Sequence, residues 1–276
     1  MSGKTWANSF KDECPGGSAK VVESFFLEFW FPFLLIFSRV AAFIAVVPFF
    51  AWRGIPIILR IYFSVVLAVI LALNWEGQLS LPSSDLGLIL LLGKELMTGL
   101  ALGFLVYLFL STFLMAGQFM DHKAGLMMAG AFDPLFGSQV TIIGQFFYFL
   151  AVVFYLTING HHLLFLSLRE SFTLLPLGGP FASPPVIWQY LKAFAGVFLL
   201  AFQIAAPVIA VLWLLDIALG FLSRAVPQIH VFIVGLPLKV AFVLLVFLLL
   251  LPLLGGVMGE VFDRLSRDFQ LIMQHW

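Results

Sequence analysis

The sequence has little charge and almost no cysteine. Among 276 residues there are 14 Lys and Arg and 14 Asp and Glu, about 10% of the chain, where a soluble domain carries roughly 25%. The formal net charge is zero, so no basic face exists to neutralise phosphates, and nucleic acid is not expected as a partner. The single cysteine, Cys14, argues against a disulfide-stapled secreted domain. No apolar segment precedes it, which argues against a lipid anchor. Residues 1–24 are polar and lack an apolar core before a small-residue cleavage site, so no signal peptide is expected. The apolar stretches are continuous and do not alternate with period two, which argues against a transmembrane β-barrel.

Chemical motifs are also missing. No GxxxxGK[ST] loop, HExxH pair or GxSxG elbow occurs. His161 and His162 are adjacent, so a helix would point them about 100° apart, with no acidic residue or cysteine at metal-ligand spacing. Asp121 and Asp133 stand in a glycine-bearing segment without catalytic context. No enzyme, cofactor or metal site is expected.

What is present is hydrophobicity. Apolar residues make up 62% of the chain and the mean hydropathy is +1.11, which points to an all-α, multi-pass integral membrane protein. Six apolar runs are candidate spans, at 29–50, 55–74, 86–116, 140–158, 193–222 and 231–254. The third would be about 46 Å of helix, too long for one straight crossing of a core of about 30 Å. With six spans, seven Lys and Arg fall on the side of the N-terminus and four on the other, a weak bias toward an inside N-terminus.

Polar residues inside these runs carry the most information. Arg39 lies within the first and Asp216 within the fifth. An ionisable group at the bilayer centre costs at least about 2.5–3.5 kcal/mol, so each is expected to face protein or water. Pairing with a neighbouring helix is the principal reading, with a proton relay or a pore lining as the functional ones. Pro32, Pro48, Pro207, Pro237 and Pro252 interrupt or edge the runs, and such breaks survive where surrounding protein supplies partners. Gly99 with Gly103, and Gly255 with Gly259, form GxxxG pairs that allow close helix contact. These features suit a subunit of an assembly better than a monomer surrounded by lipid.

Two segments stand apart. Residues 117–139 combine four glycines with Met120, Met127, Met128, Phe119, Phe132 and Phe136, too many apolar groups for a solvated loop, so a re-entrant element packed inside protein is expected. Near the C-terminus Met258, Phe262, Leu265, Phe269, Ile272 and Trp276 form one helical stripe. Glu260–Arg264 and Asp263–Arg267 are spaced as i,i+4 pairs on its polar side. A helix lying in the membrane interface, or docked on a partner subunit, is expected for 255–276.

Four segments resemble one known family, and they occur in its order. VVPFFAWRGIPIILRIYFSVVLA (46–68) is similar to the N-terminal signature of the FliR/SctT family of type III export-gate subunits, with Arg53 and Arg60 as its two arginines. GQFMDHKAGLMMAGAFDP (117–134) resembles the family's central loop, ending in Asp133-Pro134. INGHHLLFLSL with LPLGG (158–179) resembles its Asn-Gly-His and Leu-Pro-x-Gly-Gly motifs, through Asn159, Gly160 and His161. AAPVIAVLWLLDIALGFLSRAVPQIHVFIVGLPLK (205–239) is similar to its longest block and contains Asp216, Arg224, Pro227 and Gln228.

The resemblance implies a core inner-membrane subunit of the flagellar protein export gate, located in the basal body. Such a subunit assembles with FliP-type and FliQ-type subunits into a pore entrance near FlhB-type and FlhA-type proteins, through which unfolded flagellar subunits leave. It implies about six long, Pro/Gly-interrupted helices in a hetero-oligomeric gate. Residues 25–160 would be P-subunit-like and 193–254 a Q-subunit-like hairpin, with 1–24 a polar extension. The 117–138 loop would gate the pore through Met120, Gly125, Met127, Met128, Gly130, Phe132, Asp133, Pro134 and Phe136, because flexible, polarizable methionines can close around a variable chain. Ordinary core packing is the competing reading of these residues. Arg39, Arg53, Arg60, Asn159, Gly160, His161, Asp216, Arg224, Pro227 and Gln228 would serve subunit contact or packing. An injectisome gate subunit is the nearest alternative. A secondary transporter is the alternative from another class, and it would predict two related halves, of which no clear repeat is visible between 25–116 and 140–254.

Overall fold

A computed structural model describes residues 30–51, 54–75, 85–128, 141–179, 183–226 and 231–276. Residues 1–24, Arg53, Gly130, Phe132, Asp133, Pro134, Phe136, Pro227 and Gln228 lie outside the described residues. Among the described residues the fold is all-helical, with seven α-helices and no strand. They are α1 (Phe31–Val46), α2 (Ile57–Leu73), α3 (Asp85–Ala124), α4 (Ile142–Thr157), α5 (Gly160–Leu174), α6 (Pro184–Ala225) and α7 (Val231–His275), with one 3₁₀ turn at Leu126–Met128.

Every apolar run overlaps a helix, but the runs are not six equal spans. Among the described residues α3, α6 and α7 are long and apolar enough to cross a membrane. The α4–α5 pair, bent by 74°, makes a fourth if counted as one broken span. Helices α1 and α2 have 16 and 17 residues, about 24–26 Å at 1.5 Å per residue, short of a core of about 30 Å. Composition windows miss the breaks that shorten them. Helix α1 ends two residues before Pro48, since the residue preceding a proline is pushed out of the helical region. Proline 56 starts α2, and the backbone N–H of Asn74 closes its last turn.

The chain divides into two compact units. The first contains α1, α2, α3 as far as Gly103, and the short segment Leu175–Gly179. Its core is Leu35, Ile36, Val40 and Phe43 on α1 with Ala68 of α2 and Leu102 of α3. Gly99 and Gly103 explain how closely α3 approaches α1. A Cβ on Gly99 would collide with the Arg39 carbonyl oxygen, and one on Gly103 would stand 2.9 Å from the Phe43 carbonyl oxygen. This GxxxG pair is therefore a backbone contact surface. Helix α2 is inverted relative to a soluble helix: Ser64 and Ala68 are its buried residues, while Ile57, Tyr62, Val66, Ile70 and Leu73 are exposed.

The second unit holds the rest of α3 with α4 to α7. Helices α6 and α7, of 42 and 45 residues, pack against each other and continue through Pro207, Pro237 and Pro252. The apolar runs had placed a separate C-terminal helix after residue 254; α7 is instead continuous there. Its stripe faces inward: Met258, Phe262, Leu265, Phe269 and Ile272 are all buried. The Phe262 ring lies 4.5 Å from Tyr155, 5.9 Å from Phe113 and 6.2 Å from Phe154, centroid to centroid. The stripe is thus covered by its own chain, which replaces the expectation of an interfacial or partner-docked helix. The pairs Glu260–Arg264 and Asp263–Arg267 are not closed. The Arg264 guanidinium lies over Gly196, where an added Cβ would be 3.1 Å away. The second GxxxG makes no close helix contact within the described residues: Gly259 has open space beside it, and Gly255 meets only the Phe154 ring at 3.8 Å.

Candidate functional site

In the first unit the sequence places Arg39 in an apolar helix, and the fold supplies its partner. Its Nη2 is 2.6 Å from Glu95 Oε2, with both side chains 2% exposed, and it donates to the Leu175 carbonyl at 3.0 Å. Glu95 Oε1 accepts the Gly178 N–H at 3.3 Å, and Lys94 Nζ donates to the Gly178 carbonyl at 3.3 Å. The Leu-Pro-Leu-Gly-Gly segment is therefore the backbone collar of a buried ion pair. Gly178 takes φ +78°, a left-handed conformation that glycine adopts without strain. Arg60 donates to the Ile55 carbonyl at 3.2 Å, at the start of its own helix.

Three structures in the second unit involve the predicted residues. The segment expected to loop from 117 is helical to Ala124; Gly117 does not break α3 because it is a contact surface, where a Cβ would collide with the backbone of Gly144. Met120 and Asp121 are both fully buried on this helix. Asp121 Oδ1 accepts the Ile143 N–H at 3.1 Å and Oδ2 accepts the Gly144 N–H at 3.0 Å. Gly125, at φ +79°, ends the helix, and the 3₁₀ turn that follows carries a half-buried Met127.

The second structure is a charge triad. Asp216 lies 2.7 Å from Lys123 and 2.5 Å from Lys239, and Lys123 also stands 5.6 Å from the centre of the Trp213 ring. All three charged side chains are about a quarter to a third exposed. The third is the bend between α4 and α5. Asn159 takes φ +57°, and its carbonyl accepts the His162 N–H at 2.9 Å. Gly160 follows because the Tyr155 ring occupies the place of a Cβ. The His161 and His162 rings are 4.4 Å apart, and His161 Nδ1 is buried without a hydrogen-bond partner. Arg224 is exposed in the last turn of α6.

The structure thus brings Lys123 of the central segment to Asp216, and leaves Asn159–His161 and Arg39 in separate constellations. Lys94, Glu95 and Lys239 were not foreseen. The signal was available, since each is an ionisable residue inside an apolar run, the criterion that marks Arg39 and Asp216. Among the described residues no group of three or more His, Cys, Asp or Glu is placed to hold a metal ion.

Residues 30–265 match the model of the family described as bacterial export proteins, family 1. This chain belongs to that family. Its relatives include the flagellar biosynthetic protein FliR of Bacillus subtilis (strain 168), 38% identical over 234 residues that cover 84% of this chain and 90% of that protein. The protein of the same name from Aquifex aeolicus (strain VF5) is 30% identical over 90% of this chain and 95% of its own length. That of Escherichia coli (strain K12) is 28% identical over 87% and 89%. The family match takes in α1 to α6 and most of α7, so all four constellations lie inside it.

Proposed function

We propose that this chain is a core subunit of the flagellar type III protein export gate, in the inner membrane at the flagellar basal body. The observation that carries this reading is the 38% identity to a flagellar biosynthetic protein across nine-tenths of that protein's length. With FliP-type and FliQ-type subunits, and close to FlhB-type and FlhA-type proteins, it forms the entrance through which unfolded flagellar subunits pass. The flagellar name shared by the relatives supports this cargo over that of an injectisome.

Physical features of the fold support a gate subunit. Helix α2 turns its large apolar side chains outward and its small and polar ones inward. Helix α7 exposes Leu244, Leu245, Leu248, Leu249 and Leu253 along its first half. Such faces require lipid or other subunits. The charges within the apolar runs are paired across helices, Arg39 with Glu95 and Asp216 with Lys123 and Lys239, and these pairs hold helices together. The part of the gate loop left after α3 is the connection from Gly125 to residue 140, with Met127 and Met128 at its start. It closes the pore to ions and yields to an unfolded chain.

Two experiments test this. Deleting the gene from the native host should abolish flagella and stop export of hook and filament protein, with recovery on re-expression; normal export in the deletion strain contradicts the reading. Removing residues 129–138 should leave the complex assembled but conductive to ions. An unchanged conductance contradicts the gate role of the connection.

A further inference from the structure

We propose that Lys123, Asp216 and Lys239 form a receptor for a carboxylate carried on an apolar helix of a neighbouring subunit. The inference rests on the reading of this chain as one subunit of an assembly and adds the chemistry of the contact.

The cluster has one acid for two bases. Asp216 Oδ2 takes Lys123 and Oδ1 takes Lys239, so both oxygens are used and one positive charge is left in excess. An ammonium has three N–H donors, and each lysine keeps donors that Asp216 does not satisfy. The helices that carry the cluster are close here: a Cβ on Gly235 of α7 would stand 3.2 Å from the Leu219 side chain of α6.

The surroundings are apolar on both sides. Asp216 is the only charged residue between Lys192 and Arg224, a stretch of about 48 Å of helix. Trp213 and Leu214 before the cluster, and Ile217, Phe221 and Leu222 after it, are exposed. A hydrocarbon core of about 30 Å with its edge at Arg224 would hold these partly exposed charges about 12 Å inside it, an expensive position. A core with its edge at Lys192 would end near the cluster and leave Ile217, Phe221 and Leu222 in water. On each placement lipid suits one set of side chains and not the other, whereas a protein helix suits both.

The face also has the form for a helix. Trp213, Asp216, Gly220 and Arg224 are spaced by three, four and four residues, one stripe of α6. A Cβ on Gly220 would meet nothing within 4 Å, and a small residue in open space admits a close helix. A purely apolar helix laid there would bury an uncompensated cation, the costly case. A carboxylate balances the cluster, two against two. Arg224, which pairs with no acid among the described residues, makes the same stripe positive two turns further on. In the isolated chain solvent meets these donors; in the assembly the carboxylate replaces it.

The material for the test is the full chain purified with the proposed P-type and Q-type proteins, with p-benzoylphenylalanine placed at Ile217 as a photo-cross-linker. Mass spectrometry should find the label on one apolar segment of another subunit that contains Asp or Glu. Lys239→Met, and separately the exchange of that acid for its amide, should each lower the cross-link yield about tenfold, because a hydrogen bond between charged groups is lost. Combining them should recover most of the yield, since the excess charge is then gone from both sides. Should Lys239→Met reduce the amount of folded chain, the exchange of the acid decides alone. A label on phospholipid, on a segment without Asp or Glu, or within this chain alone overturns the inference and leaves the subunit reading standing. Losses that merely add in the double variant do the same. Failure of any partner to co-purify with the wild-type chain removes the subunit reading, and this inference with it.

Discussion

The two units place charge inside apolar helices in different ways. In the first, Arg39 and Glu95 form one pair with both side chains 2% exposed, completed by backbone groups of Leu175 and Gly178. In the second, Asp216 is shared by Lys123 and Lys239, all three reaching solvent or surroundings through a quarter to a third of their surface. A buried ion is tolerated only with its full set of partners, because desolvation is large and any lost partner exposes the whole penalty. A half-exposed ion keeps water as a fallback. The first arrangement fixes one geometry. The second can lose a partner at little cost, which suits a position beside a connection proposed to move.

The sharpest way to break this contrast is to remove one member of the buried pair. Arg39→Ala or Glu95→Ala should cost about 3–5 kcal/mol, read as a large fall in melting temperature in detergent. The apolar double replacement Arg39→Met with Glu95→Leu should recover most of that loss, and a double variant as unstable as the singles would contradict the account. The glycine contact in the same unit comes next. Gly99→Ala should destabilise clearly, since its Cβ has no space beside the Arg39 carbonyl; an unchanged melting temperature would remove the close contact.

Asp216→Asn should cost about 1 kcal/mol, of the order measured for partly exposed pairs. The difference from wild type should shrink as salt is raised toward about 1 M, where screening acts within a few ångströms. A loss as large as that of Arg39→Ala, insensitive to salt, would erase the distinction between the two units. The smallest effect, of opposite sign, is expected for Gly259→Ala: open space beside it leaves only the helix-propensity gain, about 0.5–1 kcal/mol. Destabilisation there would show that a partner occupies that face.

These contrasts also mark how far the sequence could be read. The apolar runs located every helix but α5, because hydrophobic length is a local property and α5, with its histidines, Arg169 and Glu170, is too polar to form such a run. The pairing of Arg39 and Asp216 with other helices followed from the cost of charge in lipid. The partners did not follow, since Glu95 and Leu175 are 56 and 136 residues from Arg39, and only the fold decides which charges meet. The C-terminal stripe was visible as a stripe, but periodicity identifies a buried face without saying what covers it; Tyr155 and Phe113 do. The glycine pairs looked identical, and only the neighbours separate Gly99 and Gly103 from Gly255 and Gly259. Asp121 was the hardest to place, because capping rules look within a few residues and its target lies more than twenty away.

The central claim is that this chain is a subunit whose outward apolar faces are completed by other gate proteins. The most direct measurement is to purify the tagged chain from membranes with and without the proposed P-type and Q-type partners and to size the products by native mass spectrometry. The account predicts one discrete assembly containing this chain and both partners, with the chain alone aggregated or heterogeneous. A stable, homogeneous species of this chain by itself, indifferent to those partners, would contradict it.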